Sequence, residues 1–132
     1  MYLLDTCSVS DFLKDDPSTC RHMRSVFGTN VCVSSFSVLE LYYGVAIMQH
    51  PSMVLKAGID DFLLGVVVLS FGAETAIQAA KLRAALKRKG IGVGAYDVLI
   101  AATALAHGLT LVSSNEREFK RIPELQVENW RR

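Results

Sequence analysis

Cysteine is scarce in this sequence and does not pair: Cys7, Cys20 and Cys32 form an odd set without a C-x-x-C spacing. That excludes a disulfide framework and a cysteine-built zinc site, and it predicts free thiols in a reducing cytoplasm. A basic segment followed by a long apolar run is also missing, because Asp5 and Asp11 interrupt the start of the chain, so export is not expected. The most apolar stretch, Phe62 to Phe71, is half of the roughly 20 residues that a membrane-spanning helix needs. It reads as a buried helix end running into a buried strand. Charge of either sign is nearly balanced, at a formal net +1, so attraction to nucleic acid has to come from local clusters of Lys and Arg. Internal repeats, low-complexity tracts and linkers are lacking too. What remains is a chain of 132 residues, 51% hydrophobic and 20% charged, a balance that fills one folded core and predicts a single domain over residues 1–132.

Short apolar runs alternate with helical patterns. Tyr2-Leu3-Leu4, Val31-Cys32-Val33, Val66-Val67-Val68-Leu69, Leu109-Thr110-Leu111-Val112 and Leu125-Gln126-Val127 are five candidate strands. Most are too apolar to be half exposed, as expected of strands covered on both faces in a parallel sheet. A helix is predicted from Ser10 to about Phe27, broken near Asp15-Asp16-Pro17. Another runs from Ser37 to Tyr43, capped by Ser35 or Ser37 and loosened or ended at Gly44, and a further one fills Met53 to Leu64. The clearest pattern covers Ala73 to Lys89. At 100° per residue Ala76, Ala79, Ala80, Leu82 and Leu86 share one side, Glu74, Gln78, Lys81 and Arg88 the other, and Gly90 ends the helix. The last long helix, about Tyr96 to His107, is apolar all round after its first turn, which predicts burial.

Against that background the acids stand out. Asp5 directly follows an apolar strand, and in open parallel sheets ligands bind in the crevice outside the carboxyl ends of the strands. Ser113, Ser114 and Asn115 follow the strand ending at Val112 in the same way. Glu40 interrupts an apolar helical turn, and Asp97 opens the buried helix. Each has a plainer role open to it: Asp5 as a helix cap, Asp97 as a first-turn partner of the helix dipole, Glu40 as a solvated side chain. Together, carboxylates in one place repel unless a cation neutralises them, and oxygen ligands without Cys or His point to Mg²⁺ or Mn²⁺.

Four segments carry a specific resemblance. Leu3-Leu4-Asp5-Thr6-Cys7, Ser37-Val38-Leu39-Glu40-Leu41-Tyr42-Tyr43-Gly44, Gly94-Ala95-Tyr96-Asp97-Val98-Leu99-Ile100-Ala101-Ala102 and Val112-Ser113-Ser114-Asn115-Glu116-Arg117-Glu118-Phe119 resemble, in order, the four motifs of the PIN-domain family. The tail Ile122-Pro123-Glu124-Leu125-Gln126-Val127-Glu128-Asn129-Trp130 is similar to the end of VapC-type toxins. The resemblance implies a three-layer α/β/α domain with a small, mainly parallel five-stranded sheet and an acidic pocket that holds Mg²⁺ or Mn²⁺ and cleaves RNA. By motif position Asp5 and Asp97 become the principal metal ligands, Glu40 the third acid, and Asn115 the fourth position, where many relatives carry Asp; all four are candidate catalytic and metal residues. Thr6 and Ser113 follow as supporting hydrogen-bonding residues. Cys7 departs from the family, which commonly has Asn there.

The resemblance further implies a ribonuclease toxin, active in the cytoplasm, that forms a homodimer, pairs with a VapB-like antitoxin and meets DNA only through that antitoxin. Lys87-Arg88-Lys89 and Arg117 with Lys120 and Arg121 are the cationic clusters nearest the motifs, with solvation as their alternative role; Arg131-Arg132 is a lesser candidate. Phe12, Leu13, Phe36, Val38, Tyr42, Val45 and Met48 are candidates for a partner-facing apolar surface or for ordinary core. His22, His50 and His107 are scattered and read as structural or surface residues. Two rival functions stand beside the nuclease. One is a phosphatase using Asp5 as nucleophile, whose Asp-x-Asp form would want an acid where Cys7 stands; the other is a catalytically idle PIN-like module that binds RNA or protein.

Overall fold

The computed structural model describes residues 1–26 and 30–132. Its elements run β1 (Tyr2–Leu4), α1 (Thr6–Leu13), α2 (Pro17–Ser25), β2 (Val31–Ser34), α3 (Ser35–Ala46), α4 (Met53–Leu64), β3 (Val67–Leu69), α5 (Ala73–Arg88), α6 (Ala95–Ala106), β4 (Thr110–Val112), α7 (Glu116–Phe119) and β5 (Val127–Glu128). The strands form one sheet in the order β3-β2-β1-β4-β5, with every neighbouring pair parallel.

Alternation along the strands divides the core into two. Leu3 lies in register with Cys32 and Leu111, and these three pack with Leu86 of α5 and Val98, Ile100, Ala101 and Ala104 of α6. Their neighbours Leu4, Val33 and Val112 join the opposite cluster, with Val9 of α1, Leu41 and Val45 of α3, Ile59 and Phe62 of α4, and Trp130. The result is the three-layer α/β/α domain that the sequence implies. Connections from β1 and β2 run over one face and the return through α5 and α6 runs over the other, so β1 and β4 flank a topological switch point, where a crevice opens at the strands' carboxyl ends.

Local chemistry sets the helix ends. Asp5, Asp16, Ser34 and Ser52 each accept a backbone N–H three residues on, capping α1, α2, α3 and α4. Gly90 and Gly108 take φ of +70° and +62° just past α5 and α6, where a Cβ would be strained.

Several expectations need correction. The helix expected from Ser10 begins at Thr6, because the Asp5 cap nucleates it; the break near Pro17 is present, and the far end expected at Phe27 lies outside the described residues. The helix expected over Ser37–Tyr43 extends from Ser35 to Ala46, capped by Ser34, and passes through Gly44. On α5 the inward stripe is Thr75, Ala79, Leu82 and Leu86, whereas Ala76 and Ala80 are exposed. The strand expected to be buried after Phe62 is an edge strand, and Val67 and Val68 are 43% and 42% exposed. It has a partner on one side only, which leaves its valines partly open to solvent. No helix of the described residues is long and apolar enough to cross a membrane.

Candidate functional site

Asp5 is placed by the sheet. Its backbone N–H donates to the Val112 carbonyl at 3.0 Å, tying the end of β1 to the end of β4, and its Oδ1 accepts the Ser8 N–H at 2.8 Å. The side chain is buried, and burial pushes its pKa up from the ordinary carboxylate value, opposed by hydrogen bonds from Ser113 and Ser8. Asp5 thus caps α1 and is also an acid in the crevice; the two roles use different lone pairs.

Glu40 reaches the same crevice from α3, where its Oε1 accepts the Thr6 hydroxyl at 2.7 Å. This gives Thr6 the supporting position expected of it. Asp97 lies in the first turn of α6. Its pKa is raised from 3.8 to about 6, first by burial and then by the charge and hydrogen bonding of Glu118, with Asp5 and Glu40 adding repulsion. A helix N-terminus lowers a carboxylate pKa, so burial and neighbouring acids outweigh the dipole here.

Glu118 is the residue that sequence reasoning missed. Its Oε1 accepts the Gly94 N–H at 2.8 Å and its Oε2 accepts the Asn115 amide at 2.7 Å. Those bonds, with the Asp97 hydrogen bond, hold its pKa low. The available signal was spacing: Asn115, at the N-cap of α7, and Glu118 are three residues apart and lie on one side of the turn. Asn115 has the N-cap position of α7 but makes no side-chain cap bond; its amide is turned to Glu118, and its backbone N–H donates to Ser113 Oγ at 3.0 Å. Gly94 lies against the acid pair: a β-carbon there would stand 3.5 Å from Asp97 Oδ2 and 3.9 Å from Glu118 Oε1.

The crevice therefore brings together Asp5, Glu40 and Asp97, links Asn115 to them through Glu118, and seats Thr6 and Ser113 beneath. Among the described residues no three His, Cys, Asp or Glu side chains stand close enough to form a preassembled metal site. The arrangement is a close pair, Asp97 with Glu118, with Asp5 and Glu40 facing it. Its donors are all oxygen, and burial with the charge of Glu118, Asp5 and Glu40 raises the pKa of Asp97, a set that suits a hard divalent cation. Cys7 is exposed beside it, with its thiol pKa raised by burial and by the Asp5 charge. All three cysteines are free.

The family model of the PIN domain matches residues 2–125. The chain belongs to the PIN-domain family. Among relatives of this PIN domain, the Salmonella typhimurium protein named tRNA(fMet)-specific endonuclease VapC is 36% identical over 129 residues, covering 98% of this chain and 97% of its own length. Ribonuclease VapC2 of Haemophilus influenzae is 37% identical over 129 residues, with the same coverage. The crystal structure of VapBC2 from Rickettsia felis bound to a DNA fragment from their promoter matches this PIN domain with a TM-score of 0.89 and 32% identity, over 98% of each chain.

The surface residues separate less neatly. Leu13, Val38 and Tyr42 pack against one core cluster and Phe36 against the other, while Val45 is buried. Phe12 meets Phe62 edge to face. Met48 is 38% exposed. Of the seven only Val45 is buried; the rest are half-buried or exposed, so the set packs on the core and still presents apolar surface. His22 stacks on Trp130 and His107 bonds the Thr103 carbonyl, both structural roles.

Proposed function

We propose that this PIN domain is a divalent-cation-dependent endoribonuclease that acts as the toxin of a toxin-antitoxin pair. The observation that carries the reading is the gathering of Asp5, Glu40, Asp97 and Glu118 at the switch point, with Asp97 raised to about 6 by burial and by the other acids. Full-length similarity to ribonucleases named VapC supports the reaction class.

Asp5, Asp97 and Glu118 would hold Mg²⁺ or Mn²⁺, with Glu40 as the third acid of the original motif set and Asn115 acting through Glu118. When bound, such a cation orients the scissile phosphate, offsets its developing charge and lowers the pKa of water. The protein's residues supply the remainder. Glu118 fixes the loop at Gly94 and so the start of α6, which sets the position of Asp97. Thr6 holds Glu40 by its hydroxyl, leaving Oε2 free to take a proton from an attacking water. Ser8 and Ser113 direct Asp5.

The named relatives suggest the partners. The Rickettsia felis structure is a VapBC complex on promoter DNA, so we extend to this chain a VapB-like antitoxin that carries it to DNA, and a homodimer as the assembled form. The Salmonella name makes tRNA(fMet) the first RNA to test. Incubation of purified protein with that tRNA and with total RNA should give discrete fragments with Mg²⁺ or Mn²⁺ and none with EDTA. Cleavage indifferent to EDTA, or none with any RNA, overturns the reading.

A further inference from the structure

Several cations on this surface are already held by acids. Lys56 pairs with Asp60, Lys120 and Arg132 with Glu116, and Arg131 with Asp11. Arg83 and Lys87, one turn apart on α5, make no salt bridge among the described residues. They form one wall of a cleft of about 380 Å³ between α5 and the segment 91–95. Leu86, Ile91, Val93 and Val98 give it an apolar lining, and no Asp or Glu lines it. Two uncompensated cations over an apolar floor suit a polyanion whose phosphates alternate with flat, weakly polar groups.

The cleft and the acid crevice share a wall. Ala95 lines the cleft and Asp97 follows it two residues later, while Gly94 touches the acid pair from the same segment. At Gly92 and Gly94 that wall has no side chains, and a β-carbon at Gly92 would meet nothing within 4 Å. Arg121 donates from Nη1 to the Gly92 carbonyl at 3.4 Å, which puts a further guanidinium beside this low point.

We propose that the cleft binds the sugar-phosphate backbone of the RNA strand beside the scissile bond, with Arg83 and Lys87 on its phosphates, and that the strand crosses Gly92 and Gly94 to reach the acids. The inference rests on the ribonuclease reading. What singles out Arg83 and Lys87 among the surface cations without an acid partner is the acid-free cleft they line.

The test uses full-length protein carrying Asp5→Asn, in EDTA, with a fluorescently labelled mixed-sequence single-stranded RNA, and measures affinity against salt concentration. Each phosphate contact contributes about 0.7 to the slope of log affinity against log salt on a single strand. Arg83→Gln with Lys87→Gln should lower affinity and flatten the slope by about twice that amount. Arg131→Gln with Lys56→Gln removes the same two charges, but from cations that Asp11 and Asp60 already hold, and should keep the parental slope. Gly92→Leu fills open space without altering charge; it should leave the melting temperature unchanged and weaken RNA binding. A parental slope in the Arg83 and Lys87 double variant, or parental affinity in Gly92→Leu, overturns the cleft and leaves the ribonuclease reading intact. A parent that binds no RNA even at low salt overturns the cleft, whereas the ribonuclease reading stands or falls separately on wild-type cleavage with Mg²⁺ or Mn²⁺.

Discussion

At the scale of single residues, the sharpest consequences come from Asp97 and Glu118. In metal-free protein Asp97 holds its proton to about pH 6, whereas in the unfolded chain it ionises near the ordinary carboxylate value of 3.8. The unfolded state therefore releases the proton first, and stability falls as pH rises through that window and levels off above it. Asp97→Asn should abolish most RNA cleavage yet melt at a higher temperature than wild type at neutral pH in EDTA, the gap closing as pH falls below about 4. Calorimetric melts across that range check it, and a pH-independent gap would contradict the assignment. Glu118→Gln removes a charge next to Asp97 and weakens the bond to the Gly94 N–H. It should cost more activity and more Mn²⁺ affinity than Asn115→Ala, as measured by calorimetric titration and cleavage rate. Asp5 and Asp97 were legible because each carboxylate sits beside a run of apolar residues where solvation gives it no reason to be. Glu118 was legible only through its spacing from Asn115: within Glu116-Arg117-Glu118 it looks like any solvated acid, and the turn of α7 toward Gly94 separates it from Glu116, which binds Lys120 and Arg132.

At the scale of elements, caps decide where the site's supports begin. Ser34 ends β2, is buried, and caps α3, the helix that carries Glu40; Asp16 caps α2, which carries none of the acids. Replacing either cap by alanine should cost about 1 kcal/mol of stability. Only Ser34→Ala should also slow cleavage, because it loosens the helix that aims Glu40. Denaturant midpoints and rates for the two variants test this, and equal rates would show that Glu40 does not depend on the cap. The strands were readable because apolar β-branched runs leave few alternatives, and α4 was found to the residue. The start of α1 was not, since Thr6-Cys7-Ser8 has weak helix propensity and the deciding contact is Asp5 Oδ1 on the Ser8 N–H. The exposure of β3 was hidden as well. Val67 and Val68 look like core residues until the order of strands puts them at an edge.

At the scale of the whole molecule, toxicity and assembly are the properties to test. Production of the wild-type chain alone should arrest bacterial growth, Asp5→Asn should not, and co-production of an adjacently encoded partner should restore growth; unimpeded growth with soluble wild-type protein at high level would count against the toxin role. The sheet order bears on how such a chain is made. β1 lies at the centre, paired on one side with β2 and on the other with β4, more than a hundred residues later. Asp5 therefore leaves the ribosome early and waits, without its Val112 partner and without Asp97 or Glu118, until most of the chain has been translated. A chain terminated between Glu40 and Asp97 carries only two of the four acids. The topology acts as a timer: the four acids of the crevice come together only once β4 has docked against β1.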